Sequence, residues 1–494
     1  MAPWLALLPI LLLLLCMTAF GWSAARSGML GAAAAGALAI FAFDYGTDGA
    51  DFVGPLLEAS FTAATILWIL FPALTLHEMQ SRSGASEHIG KWLTSVSDQP
   101  AILVLILAWF FALLLEGAAG FGTPVALVAP MLVALGFSPQ RSLLLALIGH
   151  AAGVSFGAVG TPILPLLDAL SVDSRQLSLT IMLLHAALGW ALVVVVFRLA
   201  ATEGRTGHWV LAPLAAFLFL LPALALAWLT GPELPTLGGA LIGGVAFIAL
   251  VKWKWPVGAR PVARAGGGVL LAALPYVLVL AAILASRTIA PLAAAMQAFV
   301  LEWNLAGRFG GAVMPLYHPG TLLLLALAGA VIVRPASRAV IRASFESAAC
   351  RLPSVALALV SVLLLSRIMV HSGMIDTLAS AGAAVLGSAW PMAIPLVGAL
   401  GSFITGSATA SNILFGGFQV AAANVSGFAP MLALAGQGFG AAIGNVIAPH
   451  NIVAGAATVG LVGREGAILK TTLPVCLVYA SMGGLLLLAL SAVW

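Results

Sequence analysis

Apolar stretches long enough to enter lipid follow one another along the whole chain, from 4–23 to 472–493. A soluble core cannot absorb that many. A bilayer can, because a helix of about 20 apolar residues crosses it with every backbone hydrogen bond made internally. Composition agrees: 62% of the 494 residues are hydrophobic and 7% charged, against about 25% charged in soluble domains. The expected fold is an all-α polytopic membrane protein of about 12–14 transmembrane helices. A net charge of +4 is small, and nothing suggests a nucleic-acid partner. The first stretch, Trp4 to Trp22, has no basic residue before it and no cleavage site after it. It is therefore expected to be a true transmembrane helix, not a removed signal peptide. Cys16, Cys350 and Cys476 lie far apart and give neither a disulfide framework nor metal spacing.

Basic residues in short loops set the orientation. Arg26, Arg82, Lys91, Arg205, Lys252, Lys254, Arg260, Arg264, Arg334, Arg338, Arg342 and Arg351 are mutually consistent if all are cytoplasmic. The N-terminus, the acidic turn with Asp44, Asp48 and Asp51, and the loop from about 288 to 318 then lie outside.

One run breaks the apolar rule at its middle. "ALLLEGAAGFGTPVALVAPMLVALGF" (112–137) holds Glu116, Gly117, Gly120, Gly122, Thr123 and Pro124 between two greasy halves. Several neighbouring stretches are too short to cross alone, which suggests re-entrant hairpins and helices broken at mid-membrane. The pattern also repeats. At an offset of 289 positions, Ser83 pairs with Ser372, Gly84 with Gly373, Glu87 with Asp376, Gly117 with Gly406, Gly149 with Gly438 and Ile163 with Ile452. "EGAAGFGTP" (116–124) then corresponds to "TGSATASNI" (405–413), and "FGAVGTPI" (156–163) to "NVIAPHNI" (445–452). By the charge rule the two copies start on opposite faces, which makes them an inverted repeat of the kind from which many secondary transporters are built. The expected division is 1–52 as N-terminal helices, 53–202 as repeat 1, 203–340 as connecting helices with an external loop, and 341–494 as repeat 2. Repeat 1 would carry a hairpin at about 100–136 and a broken helix at about 139–168. Repeat 2 would carry the same at about 391–425 and 428–455.

A hairpin tip inside lipid leaves backbone N–H groups that must face protein or a wet cavity. Helix N-termini there carry partial positive charge and suit an anion. Thr123, Ser407, Thr409, Ser411 and Asn412 add neutral donors and acceptors. An acid at bilayer centre costs about 2.5–3.5 kcal/mol and marks function by default, so Glu116 is the candidate proton carrier beside a carboxylate-sized site.

The strings "EGAAGFGTPVALVAPMLVALGF", "FGAVGTPI", "TGSATASNILFGGFQ" and "APHNIVAGAATVGLVGREG" resemble the L-lactate permease family, over most of the chain from the third span onward. That resemblance implies import of lactate and glycolate with protons. It also implies a place in the ion transporter superfamily, with inverted repeats, re-entrant hairpins and elevator-like motion. By it, the tips at 116–124 and 405–413 and the unwound turns at 158–162 and 448–451 form the site. Its substrate-binding residues would be Gly120, Gly122, Thr123, Thr161, Ser407, Thr409, Ser411, Asn412, His450 and Asn451, with Glu116 coupling the proton. The expected location is the bacterial inner membrane, with a periplasmic N-terminus. The expected partners are L-lactate (D-lactate and glycolate included), protons and lipid, with a homo-oligomer open. No cofactor, metal or enzymatic activity is expected. A sodium-coupled organic anion carrier and a membrane-embedded enzyme are the competing readings.

The remaining polar residues have plainer roles. His150 and His185 lie within apolar helices and read as structural. Arg141 reads as an interfacial anchor, and Arg367 as a side chain snorkelling to the interface or greeting an incoming anion. Asp168 and Glu58 are secondary acid candidates. "GVSFG" (153–157) matches G-x-S-x-G but lacks the strand-to-helix elbow that motif needs, so it reads as a packing face. His77-Glu78 lacks the second histidine of a zinc-protease motif.

Overall fold

A computed structural model describes residues 3–20, 22–46, 48–120, 122–201, 209–254, 266–462 and 464–491. Arg205, Arg260 and Arg264, used above for orientation, lie outside the described residues. Nearly everything described is helical. Among the described residues, eleven helices are long and apolar enough to cross a membrane, or up to twelve with Ser174–Leu188 and Trp190–Ala201, a pair bent by 42°. Pro3–Met17, Thr123–Ala134 and Pro319–Val333 are shorter apolar helices. The chain is thus an all-α polytopic membrane protein.

Two helices dominate, Gly49–Arg82 with 34 residues and Pro335–His371 with 37. Both outrun the apolar stretches that announce them, because basic and acidic residues at their ends continue the helix beyond the hydrocarbon. Glu78 takes ion pairs from Arg82 (3.0 Å) in its own helix and from Arg351 (2.6 Å) in the other. Each long helix ends at a left-handed glycine, Gly84 or Gly373, and a short helix follows, Ala85–Thr94 or Met374–Leu386. These paired elements keep the 289-residue spacing seen in the sequence.

The two interrupted runs fold as their glycines and prolines dictate. Helix stretch Pro100–Ala118 ends, Gly120 and Gly122 have left-handed φ, and Thr123–Ala134 starts with Pro124 in its first turn. Twelve residues of helix reach about 18 Å, well short of the about 30 Å hydrocarbon core. In the later run, Trp390–Thr405 and Ala408–Ser426 are antiparallel arms joined at Gly406 and Ser407. The Ser411 hydroxyl donates to the Gly398 carbonyl (2.8 Å) across the arms. Close packing fixes both runs: Gly149 lies against the Ala108 carbonyl, Gly440 against Pro395 and Gly444 against Ala399, with no room for a methyl group in any of the three.

Besides a small cluster of Val154, Ala408, Ala441 and Ala442, the buried side chains of the described residues form two large masses. One joins the first three helices to Pro335–His371 and the inner arms of the later hairpin, and the other contains the remaining helices. A β-hairpin, Leu301–Leu305 with Phe309–Val313, sits in the expected external loop. Its Phe309 ring lies on Gly54, where no Cβ would fit. Arg308 pairs with Asp48 (2.7 Å) and Asp51 (2.9 Å) at the start of the long helix. Nothing in the composition of that loop announced strands.

Candidate functional site

The two interruptions meet. A pocket of about 380 Å³, mouth included, lies between the tip at Gly120, the crossing at Gly157–Pro162, the tip at Gly406–Thr409 and the turn at Asn445–Asn451. Of the residues expected to form a site, Glu116, Gly120, Thr161, Ser407, Thr409, His450 and Asn451 line it. Four others stand behind the lining. Gly122 faces the Asn451 side-chain oxygen. Thr123 donates to the Gly120 carbonyl (2.8 Å) and so fixes the first tip. Ser411 is spent on Gly398, and Asn412 donates to the Pro162 carbonyl (2.8 Å), tying the second hairpin to the crossing. A buried amide pair extends this support: Gln437 donates to Asn412 and Ser411 and accepts from Gln419.

The local chemistry explains each placement. Ser407 caps the second arm by accepting from Ala410 N–H, one of the first-turn donors a helix leaves without a backbone partner. Gly406 has φ +74° and lies against the His450 imidazole, where a Cβ would come within 2.6 Å of Nδ1. The crossing is more strained. Ala158 and Val159 have φ of +42° and +55°, ahead of Gly160 at +82°. A β-branched residue in that region is an outlier. Such conformations cost about 1–3 kcal/mol each and persist where the surroundings over-determine them. Here the Thr161 hydroxyl bonds back to the Ala158 carbonyl (2.6 Å).

Glu116 is 5% exposed and has no hydrogen-bond donor in reach among the described residues. One carboxyl oxygen abuts Gly157, where any side chain would collide with it. The other faces His150 Nε2 at 3.9 Å. Among the described residues, no arginine or lysine lines the pocket. Two lining or flanking residues were not among the expected site residues: Asn445, which accepts from the Asn451 amide, and His150, which the sequence reads as structural. His150 follows the apolar half of its helix, residues 143–149, and only the packing of the first hairpin against it reveals what it faces.

Other polar residues resolve as structure. His185 bonds Ser155 (2.9 Å) and Tyr479 (3.1 Å), and Ser155 donates to the Gly438 carbonyl, so the "GVSFG" serine is wholly buried in a packing contact. Arg367 pairs with Asp168 (3.3 Å) and lies 3.7 Å from Glu58. Glu58 in turn meets His371 at 2.8 Å. Among the described residues, no three of His, Cys, Asp or Glu gather as a metal-ligand set. A second, mostly apolar chamber shares Thr161, Ser407 and Thr409 with the pocket and runs to Ser354 and Ala358 on the long helix.

Fold and site together define a polytopic helical membrane protein with one small polar pocket where two broken segments converge. The profile of the L-lactate permease family matches residues 3–494, and the chain belongs to that family. It is 32% identical over 371 residues to an L-lactate permease of Streptococcus iniae, covering 73% of this chain and 78% of that one. It is 29% identical over 464 residues to the L-lactate permease of Escherichia coli K12, with 85% and 83% covered. It is also 28% identical over 503 residues to the glycolate permease GlcA of the same strain, with 91% and 89% covered. Among solved structures, the YdaH transporter of Alcanivorax borkumensis aligns over 90% of this chain and 89% of its own, at 16% identity and a TM-score of 0.45.

Proposed function

We propose that the protein is a secondary transporter that imports small 2-hydroxy monocarboxylates (L-lactate, with D-lactate and glycolate as further substrates) by proton symport across a bacterial inner membrane. The N-terminus would be periplasmic and the two segments would be inverted repeats. The observation that carries this reading is the pocket's charge inventory. Neutral donors line it from both interruptions, Glu116 stands in its wall, and no guanidinium or ammonium is present to offset an ionised acid. A bound carboxylate and an ionised Glu116 would be two like charges in a partly desolvated space. At about 4 Å and an effective dielectric of about 20 they repel by about 4 kcal/mol, roughly a thousandfold in affinity. A proton on Glu116 removes that term, so anion and proton bind together. The family membership and the permease names of its relatives support a small hydroxy acid as cargo and a permease in preference to an enzyme.

Uptake of labelled lactate into proteoliposomes under separately imposed pH, Na⁺ and voltage gradients tests the reading. Accumulation driven by an inward proton gradient and indifferent to Na⁺ supports it. Accumulation that follows Na⁺ alone would assign the coupling to the sodium-coupled alternative.

A further inference from the structure

We propose that His150 is the proton-sharing partner of Glu116, so that the coupled proton is held by a carboxyl–imidazole pair. This rests on reading Glu116 as the proton-coupling residue. The tautomer of His150 is settled by geometry. Its Nδ1 lies 2.7 Å from the Ala146 carbonyl oxygen, which can only accept, so Nδ1 carries a hydrogen. In the neutral ring Nε2 is then a bare lone pair. That nitrogen is buried, with the residue 1% exposed, and has no hydrogen-bond partner. Orphaned buried acceptors are rare and need a physical reason. The nearest charged group is the Glu116 carboxyl, whose Oε2 stands 3.9 Å away.

The surroundings hold the two groups face to face. Gly157 clears space for Oε1, and the contact of Gly149 with Ala108 brings the histidine helix onto the first hairpin. Among the described residues, Asn445, which also lines the pocket, is the one other side chain within hydrogen-bonding reach of the ring, although it makes no bond of ordinary geometry to Nε2. His450, on the turn across the pocket, is the other titratable group facing the site among the described residues. Arg287 and Glu233 lie beyond the crossing and are already paired with each other at 2.7 Å.

The step is a proton transfer. A proton taken up at Glu116 Oε2 points at Nε2. If it moves, the O–H bond breaks, an N–H bond forms, and a carboxylate remains beside an imidazolium. The pair is neutral in both arrangements and carries one negative charge only when the proton leaves. An anionic substrate therefore meets a neutral wall when the proton is present, whichever atom holds it. At 3.9 Å the two groups are about 1 Å from hydrogen-bond distance.

Infrared difference spectra of the purified protein in nanodiscs test this. The carboxylic acid C=O band of Glu116 is assigned by its absence in Glu116→Gln. In His150→Phe, which keeps ring bulk and removes the acceptor, the band should move to higher frequency, and lactate affinity at a fixed mildly acidic pH should fall about tenfold. His150→Gln, which restores an acceptor, should return both part of the way. It also provides the measurement if the phenylalanine variant does not fold: a band shifted from the wild-type position then supports the pair. A titrating Glu116 band that stays put in every folded His150 variant would overturn the pair and leave Glu116 as the proton site. A wild-type protein with no titrating Glu116 band would overturn both.

Discussion

Gly406 concentrates the demands made on single residues. It needs a left-handed backbone and the absence of a side chain, because the His450 ring occupies the place of a Cβ. Alanine there costs about 1–2 kcal/mol for the conformation and also displaces His450. Gly427, at φ +68° with nothing within 4 Å, provides the comparison. Both Gly406→Ala and Gly427→Ala should lower the melting temperature by similar amounts. Gly406→Ala alone should weaken lactate binding, by tenfold or more in a binding isotherm. Equal affinity in the two variants would remove His450 from the site.

At the scale of elements, Arg367 joins parts from both buried masses. It reaches Glu58 on the long helix Gly49–Arg82 and Asp168 at the end of the broken segment, which Thr62 also holds at 3.1 Å. Arg367→Leu leaves Asp168 unpaired. The expected loss is about 1–3 kcal/mol, below the range for a fully buried pair because Asp168 keeps contact with solvent. Arg367→Leu combined with Asp168→Leu should recover most of it, as read by thermal unfolding. The segment leading into the helix Pro319–Val333 has its own pH signature. His318 caps the helix Pro319–Val333 by accepting from Gly320 N–H. Burial, and then the charge of Arg287, pull its pKa from 6.5 down to about 4. The unfolded chain binds this proton more readily, so stability is full above pH 6.5 and declines as pH falls toward 4. His318→Asn, a neutral cap, should flatten that part of a melting-temperature profile; an unchanged slope would place the acid sensitivity elsewhere.

The sequence declared the breaks at these same elements, because glycine, proline and an acid are rarely tolerated together inside an apolar run of lipid-spanning length unless the backbone there opens onto a polar cavity. The tips at Gly120 and Gly406 and the pocket-lining Glu116, Ser407 and Thr409 were legible in this way, whereas Thr161, His450 and Asn451 were pointed to by the resemblance to the permease family. Residue type could not separate lining from support: Ser411 and Asn412 look like ligands and turn out to be struts bonded to Gly398 and Pro162. Nor could it foresee Ala158 and Val159 in left-handed conformations, since both residues disfavour them and only the surrounding packing imposes them. The hairpin Leu301–Leu305 and Phe309–Val313 was invisible because five-residue strands in a loop carry too little pattern.

On the scale of the whole molecule, the pocket shares Thr161, Ser407 and Thr409 with an apolar neighbour that reaches Ser354 and Ala358, near Arg351 at the basic end of the helix Pro335–His371. We take that end to be cytoplasmic, and Cys350, exposed there, is a native probe of it. A membrane-impermeant thiol reagent should label Cys350 in inside-out vesicles and leave it unlabelled in intact cells. The reverse would invert the assigned orientation and the side toward which the chamber reaches.

The central claim, that one pocket takes a hydroxy-acid anion only together with a proton on Glu116, is tested most directly by reversing the usual assay. Proteoliposomes holding a pH-sensitive dye, with equal pH on both sides, are given lactate outside only. The wild type should acidify its lumen as lactate enters, and Glu116→Gln should not. Equal acidification by the two proteins would contradict the claim.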